Sequence, residues 1–327
     1  MRCLLTIAAI GLAGAALSAG AGGWWLWRAL HAPGPLTAEV TVLIPSGADP
    51  ARALAEAGVI SDPLVFRLAA RLHGRAGALQ AGEYRFAAGT RMATVLAALA
   101  EGRVMQYAIT IPEGLTSHQV MQRLLAEEAL TGSLETPAEG ALLPETYVFR
   151  RGEARAAVVR RMQESMRAAL AEAWATCPPG GALKTPQEAL ILASIVEKEA
   201  AYPGEYARIA GVFVNRLKRG MRLQSDPTAL YAMTGGKPEN DGFGPIGRRL
   251  TRADLAIDSP YNTYVVKGLP PGPIASPGRG ALTAACAPEV HGYLYFVAEP
   301  GGGGHAFAKT LAEHNANAAR YRAARAR

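Results

Sequence analysis

The segment TPQEALILASIVEKEAAY, residues 185–202, sets the tightest limit on how this chain folds. It reads as a helix with a defined start: Thr185 as N-cap, Pro186 at the first helical position, and Glu188 completing a capping box. At roughly 100° per residue, Leu192, Ile195 and Val196 share one side, and Glu199 falls in the centre of that apolar stripe. Glu197 and Lys198 point elsewhere, because residues one or two apart do not share a helix face. A carboxylate on a buried face is costly to keep charged, so its pKa rises unless it is paired. An acid that keeps its proton near neutral pH is what general acid catalysis needs. The alternative is a buried glutamate that merely bonds a loop or an arginine, since ion-pair networks perturb acids too.

With 327 residues, half of them hydrophobic, the chain has room for two domains and a membrane segment. The net charge is +7, yet no Lys/Arg run is interleaved with aromatics, so no nucleic-acid partner is expected. The basic excess suits an anionic surface or polymer, or simply an Arg-rich genome. The dense basic tail, Arg320, Arg322, Arg325 and Arg327, reads as a solvated helix end. None of the three cysteines stands in a CxxC or Cys/His spacing and the six histidines are scattered, so neither a metal nor a cofactor is expected. Cys177 and Cys286 can pair in an oxidising compartment or remain buried thiols. Cys3 lies too near the start to follow a lipoprotein signal sequence.

From Cys3 to Trp27 there is no charged residue, a span long enough for a bilayer. Trp24, Trp25 and Trp27 cluster at one end, as an interfacial belt would. These features predict an uncleaved single-pass transmembrane anchor and linker over 1–32, running into the Pro/Gly stretch HAPGPL at 31–36, with the rest of the chain outside the cytoplasm. The alternative is a signal peptide cleaved near Leu17-Ser18-Ala19.

A strand, a Gly-containing turn and a helix then recur. Val40–Ile44 leads to a helix at 49–57, Gly82–Phe86 to one ending near Ala100, and Ala108–Ile111 to one at 116–126. Such turns occur in any α/β protein, but the shared Ile-Pro-x-Gly suggests related units in a small module without a catalytic constellation. Further on, a strand is expected at 140–149, long helices at 154–174 and 209–217, a strand at 292–298 and a last helix from about Lys309. The loops MRLQSDPT (221–228) and DSPYNTYVVKGLPPGPIASP (258–277) are rich in Asn, Gln, Tyr and Pro, which suits a groove for a sugar chain.

Several stretches resemble the YceG/MltG-like family of endolytic murein transglycosylases. They are LASIVEKEA (192–200), VFVNRLKRGMRLQSDPT (212–228), YNTYVVKGLPPGPIASPG (261–278) and YLYFVAEPGGGGHAFAKTLAEHN (293–315), with IPEGLT (111–116) and LPETY (143–147) in support. The resemblance implies an α+β fold with a transmembrane helix, a LysM-like module at 38–105 and a catalytic domain at 106–327. It implies a single-pass enzyme of the inner membrane with a periplasmic catalytic domain. Its partners would be peptidoglycan glycan strands, with peptidoglycan synthases left open as further ones. It places the catalytic glutamate on the second Glu of EKE, Glu199. Two departures are Ala200, where relatives often carry Thr, and the longer glycine run Gly301 to Gly304.

In the chemistry so implied, one carboxyl protonates the bond between MurNAc and GlcNAc. The sugar's own 6-hydroxyl then closes a 1,6-anhydro ring, returning its proton to the same group. A hydrolase would need a second carboxylate, for which Asp226 and Glu145 remain open. Gln224, Asp226, Asn262 and Tyr264 lie in the motif loops and are candidates to orient the sugar or the acid. Against those roles, Asp226-Pro227 also reads as a helix start, Tyr261 and Tyr264 as loop packing, and His305 as a local loop bond. A water-using hydrolase and a non-catalytic wall-binding or assembly protein stand as the other function classes.

Overall fold

The structure, a computed structural model, describes residues 2–237, 248 and 250–325, with side chains described within that range from residue 17 to 324. Arg327 of the basic tail and the side chains of Cys3 and Arg325 lie outside the described residues. The chain divides into two compact units, Met1–Tyr107 with Phe149–Gly152, and Ala108–Val148 with Glu153–Arg327.

The first unit carries α1 (Arg2–His31), β1 (Val40–Ile44), α2 (Pro50–Glu56), α3 (Pro63–Leu72), β2 (Gly82–Phe86) and α4 (Met92–Glu101). β1 and β2 are antiparallel, Val40 opposite Phe86 and Ile44 opposite Gly82. Period-2 alternation sends Val42, Ile44, Tyr84 and Phe86 into a core closed by Leu54, Phe66, Val95 and Leu99. Aspartates start two of the helices, each followed by proline: Asp49 accepts from the Ala51 N–H at 3.1 Å, and Asp62 from the Leu64 N–H at 2.7 Å. The sequence reading had no helix at α3, although Asp62-Pro63 carries the same start signal.

The expected transmembrane anchor is corrected here. Among the described residues no helix is long and apolar enough to cross a membrane. α1 has the length, but from Ser18 to Gly23 it holds only serine, alanine and glycine, which bury little apolar area. Arg28 interrupts its last turns, and Leu30 is buried in the core of its own unit.

The second unit is mixed α+β and built around one helix. Its elements are β3 (Tyr107–Thr110), α5 (Ser117–Ala126), β4 (Thr146–Phe149), α6 (Arg155–Trp174), α7 (Pro186–Glu199), α8 (Tyr206–Lys218), α9 (Asp226–Thr234), α10 (Arg279–Cys286), β5 (Tyr295–Ala298), β6 (His305–Ala308) and α11 (Leu311–Arg325). β3 pairs with β4, and β5 with β6 antiparallel, Tyr295 opposite Ala308. α7 packs against α6, α8, α9 and α10. Every residue from Ala189 to Val196 is buried, so no single apolar stripe exists: α7 is enclosed on all sides between its first and last turns. Cys177, beyond α6, and Cys286, ending α10, form a disulfide across a separation of 109 residues.

Candidate active site

The start of α7 positions its end. The Thr185 hydroxyl accepts from the Glu188 N–H at 3.2 Å. The Glu188 carboxylate turns back to the N–H of Lys184 rather than that of Thr185, so the reciprocal half of the expected box is displaced by one residue. The helix stops at Glu199 because Ala200 is extended and Tyr202, which precedes Pro203, is held extended as well. Glu199 is therefore the last helical residue, projecting into an open cleft of about 390 Å³.

In that cleft Glu199 Oε1 accepts a hydrogen bond from Ser225 Oγ at 2.6 Å. Burial by the surrounding protein pushes the carboxyl up to about 7; the Ser225 bond and the charge of Arg216 pull it down, and Asp226 pushes it further up. Near neutral pH the group thus exchanges its proton readily in either direction. Arg216, from α8, is itself buried, and burial pulls its pKa down. It is held by two backbone carbonyls, Nε to Leu294 O and Nη1 to Leu223 O, both at 2.6 Å, with its guanidinium 5.2 Å from the Tyr295 ring centre. Those bonds tie α8 to the loop before α9 and to the residue preceding β5.

The loops before α9 and after Asn262 lie side by side. The Gln224 N–H donates to Thr263 O at 3.1 Å and the Ser225 N–H to Thr263 Oγ1 at 3.0 Å. Thr228 Oγ1 donates to Ser225 O at 2.6 Å and lies 2.7 Å from Thr263 Oγ1. Gln224 carries φ +50°, the one positive value at a non-glycine among the described residues, a strain of about 1–3 kcal/mol.

Four sequence candidates come together: Glu199, Gln224, Asp226 and Tyr264 all line the cleft. Asp226 begins α9, as the helix-start reading expects, and accepts from the Tyr264 hydroxyl at 2.5 Å. Burial, then this bond, pushes the Tyr264 phenol well up. Asn262 is not among the lining residues. It is fully buried, donating to Leu255 O and Ile257 O at 3.1 and 2.9 Å and accepting from the Tyr264 N–H at 3.0 Å, and so fixes the loop that carries Tyr264. Glu145 pairs with Arg279 at 2.9 Å away from the cleft, and Tyr261 packs on Tyr231 with ring centres 4.9 Å apart. His305 lines the cleft, and in place of a local loop bond its backbone N–H donates to Glu205 Oε1 at 2.8 Å while Nδ1 lies 2.7 Å from Oε2, a partner 100 positions away. Glu197 faces another wall, accepting from the Tyr206 hydroxyl at 2.6 Å and the Gly278 N–H at 3.0 Å. Among the described residues no cluster of His, Cys, Asp and Glu is placed to hold a metal ion.

Sequence reasoning missed Ser225 and Arg216. Serine before Asp-Pro is the usual signature of a helix start and hid the first. The second sits among other basic residues in VNRLKRG, where a solvated arginine is the ordinary reading.

The sequence model of the YceG-like family matches residues 42–320. The chain belongs to that family. It is 30% identical over 311 residues to the endolytic murein transglycosylase of Bacillus subtilis (strain 168), covering 84% of this chain and 83% of that protein. It is 28% identical over 333 residues to the protein of that name in Streptococcus pneumoniae serotype 2, covering 86% of this chain but 58% of the longer relative. It is also similar to the crystal structure of a yceG-like protein from Listeria monocytogenes, with a TM-score of 0.53, 30% identity, and coverage of 85% of this chain and 98% of that one. The expected family is thus found, and the matched span contains every cleft residue discussed above.

Proposed function

We propose that this lytic transglycosylase cleaves the MurNAc–GlcNAc bond inside peptidoglycan glycan strands, with Glu199 as general acid and then general base. The observation that supports this most is the state of the Glu199 carboxyl, with one oxygen held by Ser225, the other left to an open cleft, and its pKa at about 7. The protonated carboxyl donates to the bridging oxygen as the C1–O bond breaks. The oxocarbenium-like C1 is attacked by the 6-hydroxyl oxygen of the same sugar, and that hydroxyl's proton returns to the Glu199 carboxylate. One bond breaks, one forms, the enzyme regains its proton and no water is consumed. The product carries a 1,6-anhydro-MurNAc end.

Arg216 favours the carboxylate between the two proton transfers, because its charge pulls the Glu199 pKa down. Gln224, Asp226 and Tyr264 orient the sugar along the cleft, and Asn262 serves them by fixing the loop. The first unit is read as a wall-binding module, supported by its small build of one antiparallel strand pair and packed helices. An enzyme of murein works at the cell envelope, and the Cys177–Cys286 disulfide fits an oxidising compartment.

The competing chemistry is hydrolysis, which Asp226 would serve as second carboxylate in the same cleft. Mass spectrometry of the products from purified murein separates the two. Anhydro ends, lighter than hydrolysed ends by one water, are expected; reducing ends alone would assign the reaction to a hydrolase.

A further inference from the structure

Ser225 occupies the position just before α9, where a serine hydroxyl ordinarily accepts from the second or third helical N–H. Here it makes no such bond. Its hydroxyl goes instead to Glu199 Oε1 at 2.6 Å, a partner 26 positions away in sequence. The preceding residue, Gln224, holds a φ of +50°, a conformation that persists only where the surroundings enforce it. A forgone cap and a strained backbone thus adjoin the same hydrogen bond. Ser225 is buried and pinned on both sides of its backbone, its N–H by Thr263 Oγ1 and its carbonyl by Thr228 Oγ1. The threonine hydroxyls hold each other at 2.7 Å, so the serine is fixed before any substrate arrives.

We infer that Ser225 is a positioning residue for Glu199: its hydroxyl occupies Oε1, so that the transferable proton sits on Oε2, the oxygen left to the cleft. The inference rests on Glu199 being the catalytic acid, as proposed above. A hydroxyl donates one hydrogen bond, and in a neutral carboxyl the carbonyl oxygen is the stronger acceptor of it, so the bond at Oε1 favours the proton on Oε2. Once the proton has moved to the leaving group, the same bond favours the carboxylate. The charged and titratable groups facing Glu199 across the cleft are Arg216 from α8, Asp226 from α9, Tyr264 from its loop, Tyr295 from β5, His305 from β6 and His314 from α11. Asp226 and Arg216 act on it through charge, in opposite directions; Ser225 acts by a direct bond.

The test is carboxyl titration by ¹³C NMR in the full chain labelled at glutamate, with Glu199→Gln assigning the signal. Ser225→Ala is expected to raise the Glu199 midpoint by about one to two pH units, the value of a lost hydrogen bond to a charged group. The basic limb of the pH–rate profile on purified murein should move up with it, while the maximal rate falls roughly ten- to a hundredfold as the proton loses its fixed place. Ser225→Cys, nearly isosteric with a weaker donor, should shift the midpoint in the same direction by less, and carries the test if the alanine variant does not fold. A midpoint unmoved in a folded variant would overturn the inference. So would an equal shift in Gln224→Gly, which relieves the backbone and leaves the hydroxyl in place. The midpoint is read without substrate, so a fully active Glu199→Gln would overturn the catalytic reading alone, and an unmoved midpoint the positioning reading alone.

Discussion

Two carboxylates leave the last turn of α7 two residues apart, and their surroundings have almost nothing in common. Glu197 meets a closed wall. Both of its oxygens accept hydrogen bonds, from the Tyr206 hydroxyl and the Gly278 N–H. Glu113 lies against the same wall, its pKa raised by burial and then by the charge of Glu197, with its carboxyl oxygen 1.7 Å from where a Cβ on Gly278 would stand. A larger residue there would displace the Glu113 side chain. Glu199 meets an open cleft with one oxygen held and one free to meet a ligand. A carboxylate with both oxygens engaged joins elements of the fold; one kept half-engaged and desolvated is poised to move a proton. The same residue type on the same turn is thus given two tasks by what other elements bring to it.

The largest expected effect falls on the cleft side. Glu199→Gln keeps size and shape but has no proton to give, so the rate on murein glycan should fall by at least about 10²-fold. The same substitution has a signed effect on stability. The folded-state pKa of Glu199, about 7, lies above its ordinary 4.5. The folded state therefore holds a proton that the unfolded chain releases, and the contribution is fully present below about pH 4.5 and lost as pH rises through 7. Glutamine never makes this loss. At pH 8 Glu199→Gln should be more stable than the parent by on the order of 3 kcal/mol, and at pH 4 the two should match. Chemical unfolding at the two pH values reads this; equal differences at both would mean the carboxyl is not desolvated in solution.

On the closed wall the order of effects reverses. Glu197→Gln should keep substantial activity and lose stability instead. A glutamine can accept one of the two bonds but turns its NH₂ toward the other donor, at a cost of about 1–3 kcal/mol. A well-folded but inactive Glu197→Gln would erase the contrast and move the acid to the neighbouring position.

How much of this contrast could be read from the chain depends on the range of the interactions. Helix starts are local chemistry and were legible: Thr185-Pro186 opens α7, and Thr116 with Gln119 forms a full capping box at α5. β1 and β2 begin and end at the residues the alternation predicts. β6 was missed because a glycine run precedes its start, and α10 because it follows a loop rich in proline; for α9 only the start, Asp226-Pro227, was legible. The apolar stripe assumed for α7 does not exist, since all sides of the helix are buried between its first and last turns. What separates Glu197 from Glu199 is supplied by Gly278 and Ser225, 81 and 26 positions away, and no periodicity reports such partners. The membrane reading is corrected for a different reason: it weighed the absence of charge, while among the described residues the serine, alanine and glycine run 18–23 and Arg28 leave no helix long and apolar enough to cross a bilayer.

The smallest effect is expected where the closed wall loses one bond and no charge. Tyr206 is buried, its ring part of the core beneath α7, and its hydroxyl ends on Glu197 Oε1 at 2.6 Å. Burial raises its phenol pKa strongly and the Glu197 bond raises it further, so the hydroxyl keeps its proton and stays a donor. Tyr206→Phe preserves the packing and removes that donor, leaving Glu197 with the Gly278 N–H. Because Glu197 keeps some contact with water, the loss should stay near 1 kcal/mol. The rate on murein should not change, since neither residue lines the cleft. Combining Tyr206→Phe with Glu197→Gln in a double-mutant cycle isolates the pair, and a coupling of about 1 kcal/mol is expected from a direct bond. A coupling near zero would mean that Glu197 is held by Gly278 alone. A fall in rate with Tyr206→Phe would show that the two walls of the last turn communicate, and that the separation of tasks between the carboxylates is incomplete.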